Sequence, residues 1–373
     1  MDRRRTLRLV TGLIAGSVDE PGQHSWGPWT YLWPIESMDD SNHPPASTDA
    51  GDRQRPVDRH GQLQVVGTDL CNAAGEPVQL RGMSSHGLQW FGWGECLTPT
   101  SLDVLATDWR ADCCRLAMYV QEDGYATDPE GFLAEIDRLI EALSARGLYV
   151  IVDFHIREPG DPMANLDHAK RFFDAVAETH ADRSNLLYEI CNEPNGVAWD
   201  RIKEYAEAVI PVIRRHDPES PVVVGTRGWS SLGFAEVGAE GPQEIIDDPV
   251  SGANVCYAYH FYAATHGEWE RSQLAAVAEE LPLFVTECGS MRADGDGPND
   301  FASAAAFFEL LDCHSISWTF WSYADDWRTS GVWNEGVAER NSWTTDELTA
   351  TGRWIRRRLR DDVASGVGSE RGG

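Results

Sequence analysis

Leu148-Tyr149-Val150-Ile151-Val152-Asp153-Phe154-His155 is apolar almost throughout, with polar residues only at Asp153 and at its end. A strand with one wet face alternates apolar and polar residues. A near-continuous apolar run of this length instead predicts a strand buried on both faces, as in a parallel sheet. Residues 129–146 before it and 163–180 after it space their apolar residues as amphipathic helices do. Further out, the same texture repeats. Apolar runs lie at 78–84, 113–120, 148–155, 185–193, 221–229, 254–262, 281–288 and 315–323. Helical patterns also lie at 199–216, 269–280 and 300–312, and one at 345–360 follows the last run. Eight strands, each followed by a helix or an equivalent connection, predict a closed (β/α)8 TIM barrel. An open doubly wound sheet also alternates strand and helix, but no glycine-rich phosphate loop follows the first run, so the barrel is the better reading. Leu63 to Val66 and Val78 to Leu80 flank Asn72-Ala73-Ala74-Gly75, which predicts a short N-terminal β-hairpin turning there.

The composition narrows the partners. Sixty acidic residues oppose 31 basic ones, and the net charge is -29. A surface this acidic repels a phosphate backbone and an anionic membrane, which argues against nucleic acid and membrane partners. No segment is apolar for long enough to span a membrane. Self-repulsion of this size is relieved by salt, whose Debye length is about 3 Å at 1 M, so the sequence predicts a halophilic protein. The 8 cysteines contain no CxxC pair. Cys113, Cys114, Cys191, Cys256 and Cys288 fall in apolar runs and read as small buried hydrophobes, so no metal site is assigned. The 15 tryptophans divide between core packing and flat platforms for the apolar faces of sugar rings.

Arg3-Arg4-Arg5-Thr6-Leu7-Arg8 followed by Leu9 to Gly16 is similar to a Tat-type export signal over residues 1–16, which predicts a secreted protein. Residues 17–60, rich in Pro, Ser, Asp and Gly, read as a disordered linker. Residues 61–362 then form the barrel domain, and 363–373 a flexible tail.

A parallel barrel carries its chemistry at the C-terminal ends of its strands. Those ends are polar or aromatic here. His86 follows the first run, Arg115 and Tyr119 lie in the second, and His155 ends the third. Asn192 and Glu193 end the fourth, Trp229 the fifth, His260 and Tyr262 the sixth, Glu287 the seventh, and Trp321 lies in the eighth. A buried strand has no structural use for a terminal carboxylate. Two of them, Glu193 and Glu287, can flank one bond, as glycoside hydrolysis requires. Their separation, which the sequence does not supply, decides between retention at about 5 to 5.5 Å and inversion at about 6.5 to 9.5 Å.

Five segments in order carry a family resemblance. They are Arg81-Gly82-Met83-Ser84-Ser85-His86-Gly87-Leu88-Gln89-Trp90, Leu186-Leu187-Tyr188-Glu189-Ile190-Cys191-Asn192-Glu193-Pro194-Asn195-Gly196, Tyr259-His260-Phe261-Tyr262-Ala263-Ala264-Thr265-His266-Gly267, Val285-Thr286-Glu287-Cys288-Gly289 and Ser317-Trp318-Thr319-Phe320-Trp321. Together they resemble family 5 of the glycoside hydrolases, the cellulase family, from about residue 62 to about 360. The Ser84-to-Trp90 signature is similar to its bacterial endoglucanase subgroup, of which this would be an acidic, haloarchaeal-like version. The resemblance implies a monomeric endo-β-1,4-glucanase acting on β-glucan polysaccharide without a cofactor. It makes Glu193 the acid and then the base, and Glu287 the nucleophile of a retaining double displacement. Arg115 would hydrogen-bond Glu287 and lower its pKa. Tyr262 would orient Glu287, His260 would tune Glu193, and Asn192 would hold the sugar 2-hydroxyl. His86, His155 and Trp321 would contact sugar on the nonreducing side, with Trp90 further out and Trp229 on the leaving-group side.

Three departures stand out. Cys288 and Phe154 stand where relatives often have Trp, so Cys288 is expected to reshape the barrel interior. Asp325-Asp326 stands where close relatives often carry a sugar-binding lysine, so loss of that cation is expected. Glu95 and Asp123 read as solvated charges. A β-mannanase, a xyloglucanase and a non-catalytic glucan-binding barrel are the rival readings.

Overall fold

The structure, a computed structural model, describes residues 53–236 and 238–361. The expected export signal, most of the expected linker and the expected tail lie outside these residues. The linker expectation fails at its C-terminal end. Pro56–His60 is a short helix, with proline at its first turn where no backbone donor is missed.

A hairpin of β1 (Gln64–Val66) and β2 (Asp69–Cys71) precedes the barrel. Its reversal is at Gly67-Thr68, not at the expected Asn72–Gly75. Gly67 takes a φ of 61°, which glycine adopts at little cost. The Asn72 turn is real but comes next. Asn72 Oδ1 accepts the N–H groups of Ala74 and Glu76, and the turn pairs Cys71 with Pro77.

The barrel strands are β3 (Arg81–Ser84), β4 (Cys113–Tyr119), β5 (Tyr149–His155), β6 (Leu186–Glu189), β7 (Val222–Val224), β8 (Val255–Tyr262), β9 (Leu283–Gly289) and β10 (Ser317–Trp321). They pair in parallel in chain order, and β10 closes on β3. The long helices are α1 (Pro129–Ala145), α2 (Leu166–Thr179), α3 (Trp199–Arg214), α4 (Glu268–Val277), α5 (Phe301–Cys313) and α6 (Ala350–Arg360). The connections from β3 to β4 and from β7 to β8 carry only short helical turns. Asp128, Asp300 and Thr349 cap α1, α5 and α6 by accepting backbone N–H groups.

Outward strand residues pack under the helices. Phe154 meets Phe172 and Phe173 of α2, for example. Inside, Leu63 and Leu70 of the hairpin region plug the bottom of the barrel against Cys113, Ile151, Leu187, Val223, Ala258 and Phe284. Each fully buried leucine, isoleucine, valine or phenylalanine of this plug is worth roughly 1.5–3 kcal/mol of removed apolar surface. None of the eight cysteines forms a disulfide, and all but Cys313 are buried. Among the described residues no helix is long and apolar enough to cross a membrane.

Candidate active site

Period two along each strand stacks layers inside the barrel. Above the apolar plug, β4 turns Arg115 inward, β5 Asp153 and β6 Glu189. Further up come Tyr119, His155 and Tyr262, and these line an open cleft of about 390 Å³.

Strict alternation fails in β9, to good effect. Ala258 pairs with Phe284, yet His260 pairs with Glu287, so β9 carries an extra residue between them. Thr286 and Glu287, neighbours that a regular strand would send to opposite faces, both reach the interior. Cys288 is displaced to the outer side, where its thiol meets Thr319 O. The expectation that Cys288 reshapes the interior is therefore corrected: it does not face the cleft.

Arg115 is the hub of the charged layer, with no exposed surface. Its Nε and Nη2 donate to the two oxygens of Glu189 at 2.6 and 3.3 Å. Nη2 also reaches Asp153 Oδ2 at 2.9 Å and Asn192 Oδ1 at 2.6 Å, and Nη1 donates to Glu287 Oε2 at 3.2 Å. Burial disfavours its charge, but Asp153, Glu189 and Glu287 outweigh that and hold it firmly protonated. One cation shared among three buried acids cannot neutralise each. Burial, then the Glu193 charge, pushes Glu287 above the usual carboxylate range, against the pull of His260, Arg115 and the Tyr262 hydrogen bond. Arg115 thus hydrogen-bonds Glu287 and pulls its proton affinity down, as expected, but burial and the Glu193 charge outweigh that pull. Tyr262, kept protonated by burial and by Glu287, donates to Glu287 Oε1 at 2.5 Å.

A second chain runs to Glu193. The Thr286 hydroxyl donates to Glu189 Oε1 at 2.7 Å, so its oxygen accepts from His260 Nε2 at 2.9 Å. With Nε2 donating to Thr286, the ring turns Nδ1 toward Glu193 Oε1 at 3.0 Å, within reach of a shared proton. Oxygens of Glu193 and Glu287 and the His260 nitrogen lie within 4.8 Å of one another.

The structure brings His86, Trp90, His155, Glu193, Trp229, His260, Tyr262, Glu287 and Trp321 together along the cleft. Asn192 is an exception to the expected sugar contact. It is fully buried one layer down, with Oδ1 on Arg115 and Nδ2 facing His155 Nε2 at 3.2 Å. Arg115 likewise acts from below. His155 is held by Asp153 through Nδ1 at 2.7 Å and by Tyr119, whose ring lies 4.0 Å away. Burial, then Arg115, pulls His155 well below the usual histidine range, so it is neutral. Burial, then Arg328 and Arg157, does the same to His86. Glu95 and Asp123 are exposed, as expected of solvated charges.

Sequence reasoning missed Asp153, Glu189, Thr286, Arg157, His266 and Arg328. A charged residue inside an apolar run was the available signal for Asp153 and Glu189. Asp325 and Asp326 do not line the cleft. Both are buried: Asp325 Oδ2 accepts Gly336 N–H, and Asp326 pairs with Arg328 at 2.7 Å. Arg328, not the acids, lines the cleft, where its Nη2 meets His86 Nε2 at 2.6 Å. Trp229 reaches the cleft by local strain. Gly228 and Trp229 take φ of 73° and 59°, which an aromatic residue rarely adopts, and the indole stays 47% exposed.

Known proteins are similar to this chain in sequence and fold. Residues 71–326 match the sequence profile described as cellulase (glycosyl hydrolase family 5). Endoglucanase E-5 of Thermobifida fusca is 50% identical over 347 residues, covering 93% of this chain and 72% of that protein. Endoglucanase MaCel5A of Microbulbifer sp. (strain ALW1) is 51% identical over 307 residues, covering 82% of this chain and 59% of that protein. The chain thus spans less than two thirds of the Microbulbifer protein. A solved structure of the Thermobifida fusca Cel5A catalytic domain, a variant in complex with cellotetraose, is 52% identical with a TM-score of 0.81, covering 83% of this chain and 100% of that one. With a closed eight-stranded barrel, two glutamates at its mouth and this degree of identity, the chain belongs to the cellulase family, glycosyl hydrolase family 5.

Proposed function

We propose that this chain is a retaining endo-β-1,4-glucanase that cleaves internal bonds of β-glucan by a two-glutamate double displacement. The observation that carries the reading is the placement of Glu193 and Glu287 oxygens within 4.8 Å of each other, in different settings. That short approach favours a direct attack by one carboxylate over the wider gap that an intervening water needs. The names of the relatives, all endoglucanases, and the cellotetraose bound to the Thermobifida enzyme support the glucan substrate.

In the first step Glu193 gives its proton to the departing glycosidic oxygen while Glu287 attacks the anomeric carbon. The C–O bond to the departing chain breaks, and a bond to a Glu287 oxygen forms. Tyr262 and Arg115 each hydrogen-bond a different oxygen of Glu287 and so fix its direction of attack. Esterification removes the Glu287 charge. Glu193, now ionised, takes a proton from a water, and that water displaces the sugar from Glu287. Trp90 and Trp321 offer ring faces for sugars, and His86 and His155 line the cleft as neutral rings.

A polymeric substrate must be met outside the cell, which accords with the export-like N-terminus, and we propose secretion on that ground. We also propose salt adaptation, from the charge of -29. The test of function is Glu287→Ala assayed on carboxymethylcellulose beside galactomannan. The wild type should release reducing ends mainly from the glucan, and the variant should lose at least about 10⁴-fold. Unchanged release by the variant would overturn the nucleophile assignment, and a preference for galactomannan would overturn the glucan one.

A further inference from the structure

Three large apolar side chains stand exposed among the described residues: Val66, Trp229 and Trp269, at 49%, 47% and 55%. Val66 ends β1, at the plugged end of the barrel. The two tryptophans are at the opposite end, where strands finish and helices begin. An indole more than half exposed, on a chain of net charge -29, calls for an explanation.

Trp269 is the second residue of α4, just after the loop that leaves β8. Its ring meets Phe234 edge-on at a centroid distance of 5.4 Å and an interplanar angle of 76°. Phe234 is itself packed on the core, so the indole is braced on one side and open on the other. The two loops that carry this pair also wall the cleft. Ser231 and Ala235 line it beside Phe234, and His266 lines it three residues before Trp269. The pair therefore stands on the same two loops that line the cleft beside Trp229.

The side of the cleft follows from the backbone. Trp229 N–H donates to the carbonyl of Pro194, the residue after Glu193, at 3.0 Å. The acid must face the group it protonates, so this wall flanks the departing part of the chain.

We infer that Trp269, braced by Phe234, is an outer platform for a β-1,4-linked glucose ring of the departing chain, one position beyond Trp229. The inference rests on the glucanase reading. An indole face against the apolar face of a sugar ring supplies binding without a charge, which suits a chain in which 60 acidic residues outnumber 31 basic ones. Glu268, beside it on the first turn of α4, offers an acceptor for ring hydroxyls, while Glu270 Oε2 already accepts the Gly267 N–H.

The experiment compares wild type, Trp269→Ala and Trp269→Tyr, as full chains, on cellohexaose and on a nitrophenyl β-cellobioside. The nitrophenyl compound places only its aryl group on the departing side, so it never reaches the platform. Trp269→Ala should lower kcat/KM for cellohexaose about 5- to 10-fold, chiefly through KM, and leave the aryl substrate within about twofold. Trp269→Tyr should restore most of the loss. Equal losses on both substrates would make Trp269 a scaffold residue and overturn the platform. So would an active wild type whose cellohexaose kinetics are indifferent to Trp269→Ala. A wild type inert on both substrates would instead overturn the glucanase reading, and the platform with it.

Discussion

Thr286 has a single hydroxyl proton and gives it to Glu189, which leaves its oxygen to accept from His260. If Thr286→Val removes that acceptor, His260 can move its proton to Nδ1 and donate it to Glu193, favouring the ionised acid. We expect Thr286→Val to slow hydrolysis of carboxymethylcellulose about 10- to 100-fold and to move the alkaline limb of its pH profile downward. A substrate with an activated leaving group should lose much less, and Thr286→Ser should recover most of the rate. Equal loss on both substrates with an unmoved limb would reduce Thr286 to packing. Glu287 makes the complementary prediction. Burial and the Glu193 charge raise its proton affinity, so it is protonated, and useless as a nucleophile, at a higher pH than an ordinary glutamate. The acid limb of kcat/KM should therefore lie above the usual carboxylate range. Tyr262→Phe removes one of the groups opposing that shift, so its acid limb should move further up, with kcat down about 10- to 100-fold. A limb that stayed in place would show that Tyr262 does not act on Glu287 in solution.

At the scale of elements, β5 and β9 show how secondary structure aims chemistry. In β5, alternation alone sends Ile151 into the plug, Asp153 into the charged layer and His155 to the cleft. In β9 the extra residue opposite Ala258 and His260 breaks that rule and delivers both Thr286 and Glu287 inward. The hairpin works at the other end. Leu63 and Leu70 close the barrel floor, at the opposite end from the cleft. Leu63→Ala or Leu70→Ala should each cost about 2–5 kcal/mol in denaturant unfolding, with kcat unchanged below the transition. A change in kcat without loss of stability would mean that the plug communicates with the cleft. The sequence places the hairpin's turn wrongly because Asn72-Ala73-Ala74-Gly75 is the stronger local turn signal. Gly67-Thr68, a weaker one, turns first because the apolar side chains on either side of it are wanted by the barrel floor.

The whole molecule carries a net charge of -29, and that excess acts on the folded state at every distance that salt does not screen. We expect the melting temperature and the hydrolytic rate to climb together as NaCl is raised into the molar range, where the Debye length falls to about 3 Å. Full stability and activity after dialysis against low salt would refute that expectation. The ion pairs at the surface, such as Arg138 with Glu135 in α1, are weak and lose strength in salt, so they offer no competing trend in the same direction.

Strand count, barrel closure and the two terminal glutamates were legible in the residues alone, because double burial and period two are written directly into side-chain chemistry. Asp153, Glu189 and Thr286 were not, since a buried acid in a run of apolar residues declares its purpose only when its partners arrive from other strands. The sharing of Arg115 among three acids, the withdrawal of Asn192 to the layer beneath the cleft and the inward turn of Glu287 belong to the same class. They depend on register between strands far apart in the chain, and register is settled by packing of the assembled barrel rather than by any local stretch of sequence.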